Sequence, residues 1–400
     1  MNIKSDLDSF GYFGGQPVFS TVRSISNLVR PDIERFLDYS KLMFDSGIYS
    51  GSGSLVRRFE TRMAAFHETE HCVAFCGGFW GIVLAIKYLA LPGKTEVVMP
   101  SLTYRRLGDI VAWTGLTPRF CEVDPSGLCI TRETASVCIN DNTALILGVH
   151  PIVNCCDAGG LEELSAECGV PLLFDAVESV YETVNGRKVG SFGRAECFSM
   201  QSSKLFNAFE GGYVTTNDGE LAQSLRLMRN HGAGQPGDPE TVGMNANPIE
   251  VHAAMALAAM DDVERQVVAN RRRYRAYQDA LGNLQQVRLV AFDENEKCGY
   301  KNIVVELLDS WPISREFTLQ LLHRENMLCR PYYAPPLHQK QTGYQMLWDD
   351  LSLTERLAQR YLLLPCGHFV SEDDVRSVVS FLSSICHHGQ ALAAYERSKS

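Results

Sequence analysis

The sequence predicts an α/β protein: a large domain with a mostly parallel central sheet flanked by helices, followed by a smaller C-terminal α+β domain. Three observations carry this. Short apolar, β-branched runs alternate with stretches of helical period through the middle of the chain. Beyond about residue 265 the alternation gives way to a different order of strands and helices. And 400 residues at 45% apolar and 21% charged supply a large core, which excludes a disordered, collagenous or coiled-coil chain.

The runs at 72–75, 96–99, 119–123, 144–149, 171–174, 197–200 and 212–216 read as strands, and 79–89 and 160–168 as helices. Such repetition makes a parallel sheet covered on both faces, with function at the carboxyl ends of its strands. From Pro248 a helical pattern runs through Ala253-Ala254-Met255 into Arg271-Arg272-Arg273 and predicts one long connecting helix. After it come a strand at 300–308, a helix at 314–325, a strand at 327–332 and a closing helix at 372–386. The large domain is therefore placed at 41–265 and the small one at 266–400. Residues 1–40 match neither and form an N-terminal arm or a cover for a partner subunit.

Lys and Arg total 37 against 47 Asp and Glu, a net charge of −10 with no dense basic run, so a nucleic-acid partner is not expected. No window is long and apolar enough for a membrane span, and Asp6 and Asp8 occupy the place of a signal-peptide core. The thirteen cysteines are scattered and unpaired in spacing, which fits buried free thiols in a cytoplasmic protein better than disulfides or a metal site.

Four features at strand ends carry chemistry. Gly77-Gly78-Phe79 follows a strand and opens a helix, leaving backbone N–H groups at the positive end of a dipole: a phosphate site, or a plain tight turn. Tyr104 follows the run at 96–99, as a ring to stack on a flat cofactor or as a core tyrosine. Asp175 ends the run at 171–174; a buried carboxylate there needs a cation or a strong donor, unless it caps a helix. Lys204 follows the run at 197–200, either covalently engaged or on a surface loop. Together a phosphate cradle, a stacking ring, a carboxylate and a lysine suit pyridoxal 5'-phosphate, with the lysine forming the Schiff base and the carboxylate keeping the pyridine nitrogen protonated.

With these residues in view the chain resembles the DegT/DnrJ/EryC1/StrS family of sugar aminotransferases, pyridoxal-phosphate enzymes of fold type I. The resemblance rests on Gly47-Ile48-Tyr49-Ser50-Gly51 with Phe59-Glu60, on Pro100-Ser101-Leu102-Thr103-Tyr104, and on Asp175-Ala176-Val177-Glu178-Ser179. It extends through Phe198-Ser199-Met200-Gln201-Ser202-Ser203-Lys204, Glu210-Gly211-Gly212, Arg229-Asn230-His231-Gly232 and Arg330-Pro331-Tyr332-Tyr333-Ala334-Pro335-Pro336-Leu337-His338. It implies that Lys204 forms the Schiff base and moves the proton, that Asp175 pairs with the pyridinium nitrogen, and that Tyr104 stacks on the ring. Ser199 and the backbone of Gly78 and Phe79 would hold the phosphate, joined by Asn245 of the neighbouring subunit in a homodimer. Glu178 would lie beside the cofactor's phenolic oxygen, and Tyr332, His338 and Arg105 would face the substrate.

The same resemblance implies transfer of an amino group from L-glutamate or L-glutamine to a keto sugar, nucleotide sugar or cyclitol in secondary metabolism. Relatives that dehydrate deoxysugars have lost the lysine that this chain keeps at 204, which favours transamination over dehydration or cyclisation on the same scaffold. The chain departs from the family pattern in three places. Gly77-Gly78-Phe79 lacks the usual threonine hydroxyl, Asn245-Ala246-Asn247 lacks the usual arginine, and Arg105 and Arg106 replace small residues. The two guanidinium groups either take a phosphate or carboxylate on the substrate or point into solvent. The altered turn is also what an inactive binding or regulatory homologue would show.

Overall fold

The computed structural model describes residues 4–26, 31–51, 53–232 and 241–399. Its centre is a sheet of β1 (His71–Phe75), β2 (Glu96–Pro100), β3 (Thr117–Cys121), β4 (Thr143–Val149), β5 (Leu172–Asp175), β6 (Ala195–Ser199) and β7 (Gly212–Thr216). The short strand Leu347–Trp348 adds to one edge, and the order is Leu347–Trp348, β3, β2, β4, β5, β6, β7, β1. Every pairing is parallel except the two that β7 makes, with β6 and β1. Two successive antiparallel steps leave β1 running with β6, so the carboxyl end of β1 reaches the same edge as those of β2, β4, β5 and β6.

The helices that matter here are α1 (Ile33–Ser46), α2 (Ser54–His67), α3 (Gly78–Leu89), α4 (Gly219–Arg229), α5 (Glu250–Asp261), α6 (Val263–Leu281) and α7 (Glu372–His387). All seven residues of β4 are buried, because both of its faces are covered. Ile146, Leu172 and Phe198 lie in one apolar core with residues of α2 and α5. Their strand neighbours Leu145, Leu173 and Cys197 lie in the other, with α3 and α4. Alternate residues of single strands thus feed two cores, which is why these strands read as continuous apolar runs.

The C-terminal module holds an antiparallel sheet of β8 (Val287–Leu289), β9 (Ile303–Leu307), β10 (Arg330–Pro331) and β11 (Tyr361–Leu364) in the order β8, β9, β11, β10. The single long helix expected from Pro248 is two. Asp262, at φ −113° and ψ 0°, closes α5 and opens α6, its carboxylate taken by Arg265 and Gln266. The single strand expected at 327–332 also divides. Met327–Leu328 pairs with Arg23–Ser24, whereas Arg330–Pro331 pairs with β11. Pro331 lacks an N–H and is tolerated because β10 is an edge strand.

Residues 4–26, expected as an arm, pack on the C-terminal module of the same chain. The Phe10 ring lies 5.3 Å from that of Phe381 on α7. Glu325, fully buried, accepts from the N–H groups of Gly11 at 2.7 Å and Val18 at 2.8 Å and pairs with buried Lys4 at 3.0 Å. No helix among the described residues is long and apolar enough to cross a membrane.

Candidate active site

The turn after β1 enters α3 without a side-chain cap, so the first N–H groups of the helix have no intrahelical acceptor. It is packed backbone against backbone. A Cβ on Gly212 would fall 2.3 Å from Gly78 Cα, and one on Gly78 would fall 2.8 Å from Phe198 O and 3.3 Å from Ser199 Cα. Only glycine permits this approach. It sets Gly78 and Phe79 beside Ser199, whose hydroxyl accepts from the Gln201 N–H at 3.3 Å. The structure brings together the three residues expected to form a phosphate cradle.

At the tip of β5, between β4 and β6, Asp175 is 5% exposed and forms no ion pair among the described residues. Its Oδ1 accepts from the Val177 N–H at 3.1 Å. Burial pushes its carboxyl up to about 6, against the opposing effects of that N–H and of Lys204. Three residues on, Glu178 takes Lys204 Nζ on Oε1, and on Oε2 it takes Lys301 Nζ at 2.6 Å and Asn302 Nδ2 at 3.1 Å. Burial alone would raise the Glu178 carboxyl, but the two ammonium groups override it and hold it well below the usual carboxylate range.

Tyr104 leaves β2 with 49% of its surface exposed, which leaves its ring face available. Asn245 is exposed and bridges to Asn230, while Asn247, where the family arginine is missing, donates to Asn230 Oδ1 at 2.8 Å. Arg105 and Arg106 are exposed and line an open cleft of about 710 Å³ with Pro335, Lys340 and Tyr344. Arg106 is tied to Asp109 at 3.1 Å, and Lys340 reaches the carbonyl of Arg105.

Two residues expected to face substrate have other roles here. Tyr332 is 1% exposed, its hydroxyl on the Ile152 N–H at 3.4 Å. At the neighbouring Tyr333, burial and the nearby carboxylates of Glu178 and Asp175 raise the hydroxyl. His338 is 7% exposed and has both ring nitrogens engaged, Nδ1 with Ser101 Oγ at 2.7 Å and Nε2 with Glu355 Oε1 at 3.0 Å. It fastens the segment after Pro336 to the end of β2 and has no nitrogen left for a ligand.

The residues present fit pyridoxal 5'-phosphate. Asp175 is a buried carboxylate with no paired cation among the described residues, and a protonated ring nitrogen would supply one. The glycine-lined helix start beside Ser199 suits a phosphate, and Lys204 presents a primary amine on Glu178, three residues after Asp175. Fold and site together define a pyridoxal-phosphate-dependent transferase. The chain belongs to the DegT/DnrJ/EryC1/StrS aminotransferase family, whose pattern matches residues 32–383. It is 27% identical over 355 residues to the GDP-perosamine synthase of Caulobacter vibrioides, covering 87% of this chain and 94% of that protein. It is 28% identical over 388 residues to the L-glutamine:2-deoxy-scyllo-inosose aminotransferase of Streptomyces lividus, covering 87% and 90%. Among solved structures, DesI crystallised in the presence of its TDP-sugar product is similar with a TM-score of 0.92 and 33% identity, over 98% of this chain and 100% of that one.

Sequence reasoning missed Lys301, Asn302 and Tyr333, and gave no role to Glu60 or Arg229. Glu60 accepts from Arg229 at 2.6 Å and from the Ala74 N–H at 2.9 Å, tying α2, β1 and α4 behind the phosphate turn. A charge among the buried Val56, Phe59, Met63 and Ala64 on the inner face of α2 was the available signal.

Proposed function

We propose that the chain transfers an amino group from L-glutamate or L-glutamine to a keto group of a sugar, nucleotide sugar or cyclitol, in a secondary-metabolite pathway of the cytoplasm. The observation that carries this is the amine of Lys204 held on Glu178 beside buried Asp175, which has no ion pair among the described residues. Bound there, pyridoxal phosphate supplies an electron sink for the pair released when the amine-bearing carbon loses its proton. Lys204 Nζ would take that proton and hand it on to complete the exchange, and Glu178 Oε1 keeps the amine pointed inward. Asp175 serves the ring nitrogen, Tyr104 covers the ring face, and Ser199 with the N–H groups of Gly78 and Phe79 holds the phosphate. Arg105, with Lys340 in the same cleft, is placed for an anionic group of the acceptor.

The test is the absorbance of purified protein with added cofactor, at roughly 410–430 nm where such Schiff bases absorb. The band bleaches with L-glutamate or L-glutamine, and Arg105→Ala leaves that step unchanged while raising KM for the keto acceptor by about tenfold, the worth of one charge-assisted contact. A protein that shows no band, or a band indifferent to both donors, defeats the proposal.

The active unit is a homodimer in this reading. Ile33, Leu37 and Phe44 are exposed along one stripe of α1, Phe44 by 67%, and Phe44 contacts exposed Tyr49 at 5.7 Å between ring centroids. An apolar stripe of this kind suits a second copy of the chain. Phe44→Asp is expected to sediment as a monomer at concentrations where the parent is dimeric; unchanged sedimentation counts against this interface.

A further inference from the structure

We propose that Lys301 is a positioning residue for the amine of Lys204: by holding Glu178 through Oε2, it keeps Oε1 ionised and aimed at Lys204 whether or not that amine carries a proton. This rests on the role proposed above for Lys204. Lys301 belongs to the C-terminal module, two residues before β9, whereas Glu178 and Lys204 follow β5 and β6. Its amine reaches across to Glu178 at 2.6 Å with only 9% of the residue exposed. Burying an ammonium so deeply is unfavourable unless it has a partner. Here the partner is one that Lys204 already holds.

The arrangement makes sense over a reaction cycle. Lys204 alternates between protonated and neutral amine, and each time it becomes neutral Glu178 loses a counter-charge. Among the described residues, the other titratable groups facing Glu178 are Asp175 from β5 and Tyr332, Tyr333 and Cys366 from the C-terminal module. None of these is cationic. Without Lys301, a buried Glu178 beside a neutral Lys204 would be an unpaired carboxylate, which takes up a proton and loses its grip on the amine. Asn302 Nδ2, 3.1 Å from the same Oε2, fixes the carboxylate's rotation but supplies no charge. Two ammonium groups on one carboxylate also repel each other.

The experiment compares the parent with Lys301→Met, Lys301→Gln and Lys301→Arg in two pH titrations. One follows the visible band of the holoenzyme. The other follows the acylation rate of Lys204 by acetic anhydride in protein stripped of cofactor, read by peptide mass. Removing a neighbouring positive charge favours the protonated form, so both midpoints are expected to rise by about one pH unit in the Met and Gln variants and to return to within about 0.3 unit of the parent in Arg. Midpoints that do not move, with only thermal stability lowered, would mean a purely structural lysine and overturn the proposal. If the Met variant does not fold, Gln decides, since it keeps a donor to Glu178 without the charge. If the parent shows no visible band, the function proposed above fails, while the acylation titration still decides the role of Lys301.

Discussion

Lys204→Ala is expected to lower the rate of amino transfer by about 10⁴-fold or more, since in the role proposed for it the change would remove both the covalent attachment point and the group that relocates the proton. The structure argues that the fold survives. Lys204 is part-buried in a loop, and among the described residues its amine pairs with Glu178, which keeps Lys301 at 2.6 Å and Asn302 at 3.1 Å after the amine is gone. A buried carboxylate left with an ammonium and an amide donor is not orphaned, so the usual large cost of deleting one member of a buried pair is avoided. Thermal unfolding of the variant should therefore shift by only a few degrees, the range of about 1 kcal/mol or less in a protein of this size. Product formation from either donor, measured beside a melting scan, checks both halves. Activity above about one per cent of the parent, the floor set by loss of a general base alone, would remove Lys204 from the centre of the reaction.

How much of this was legible beforehand follows from what kind of signal each residue leaves. Asp175 stands out because it ends an apolar run, and a parallel strand buried on both faces makes a charge at its tip conspicuous; Lys204 follows the next such run after a short polar loop. The glycine turn is visible for the same reason, at the junction of two periods. Lys301 ends no strand. It lies two residues before β9 and reaches the site only because the C-terminal module folds back on the large one, a relation that no local pattern encodes. Tyr332 and Tyr333 illustrate a finer limit. Adjacent residues in the same segment, they differ in setting: the Tyr332 hydroxyl accepts from the Ile152 N–H, whereas Tyr333 lies at a backbone turn where φ is +42°. The divided helix at Asp262 and the divided strand at Cys329 are both cases in which one residue's local hydrogen bonds overrode a continuous apolar pattern.

Asp175→Asn should separate stability from function. The asparagine variant is expected to lose about 10²–10³-fold in amino transfer, because a neutral amide cannot pair with a protonated ring nitrogen and a buried ion pair broken on one side is worth several kcal/mol. Stripped of cofactor, the same variant should be more stable than the parent at pH 7. In the folded parent, burial raises the Asp175 carboxyl from its ordinary 3.8 to about 6. Between about pH 4 and pH 6 the folded chain therefore holds a proton that the unfolded chain has released, so stability at this site is fully present below pH 4 and is lost as the pH rises through 6. Two pH units correspond to about 3 kcal/mol, an upper figure for a group that also feels Lys204. Asparagine has no proton to lose, and its advantage should shrink steadily as the pH falls from 7 to 4. Urea denaturation of cofactor-free parent and variant across that range measures the difference. A gap that is constant with pH would mean that Asp175 is already compensated in the folded chain, and that the site holds no unpaired charge waiting for a ring nitrogen. Adding pyridoxal phosphate should reverse the order, since only the parent then gains an ion pair: the carboxylate that weakens the empty protein is the one that fastens the cofactor.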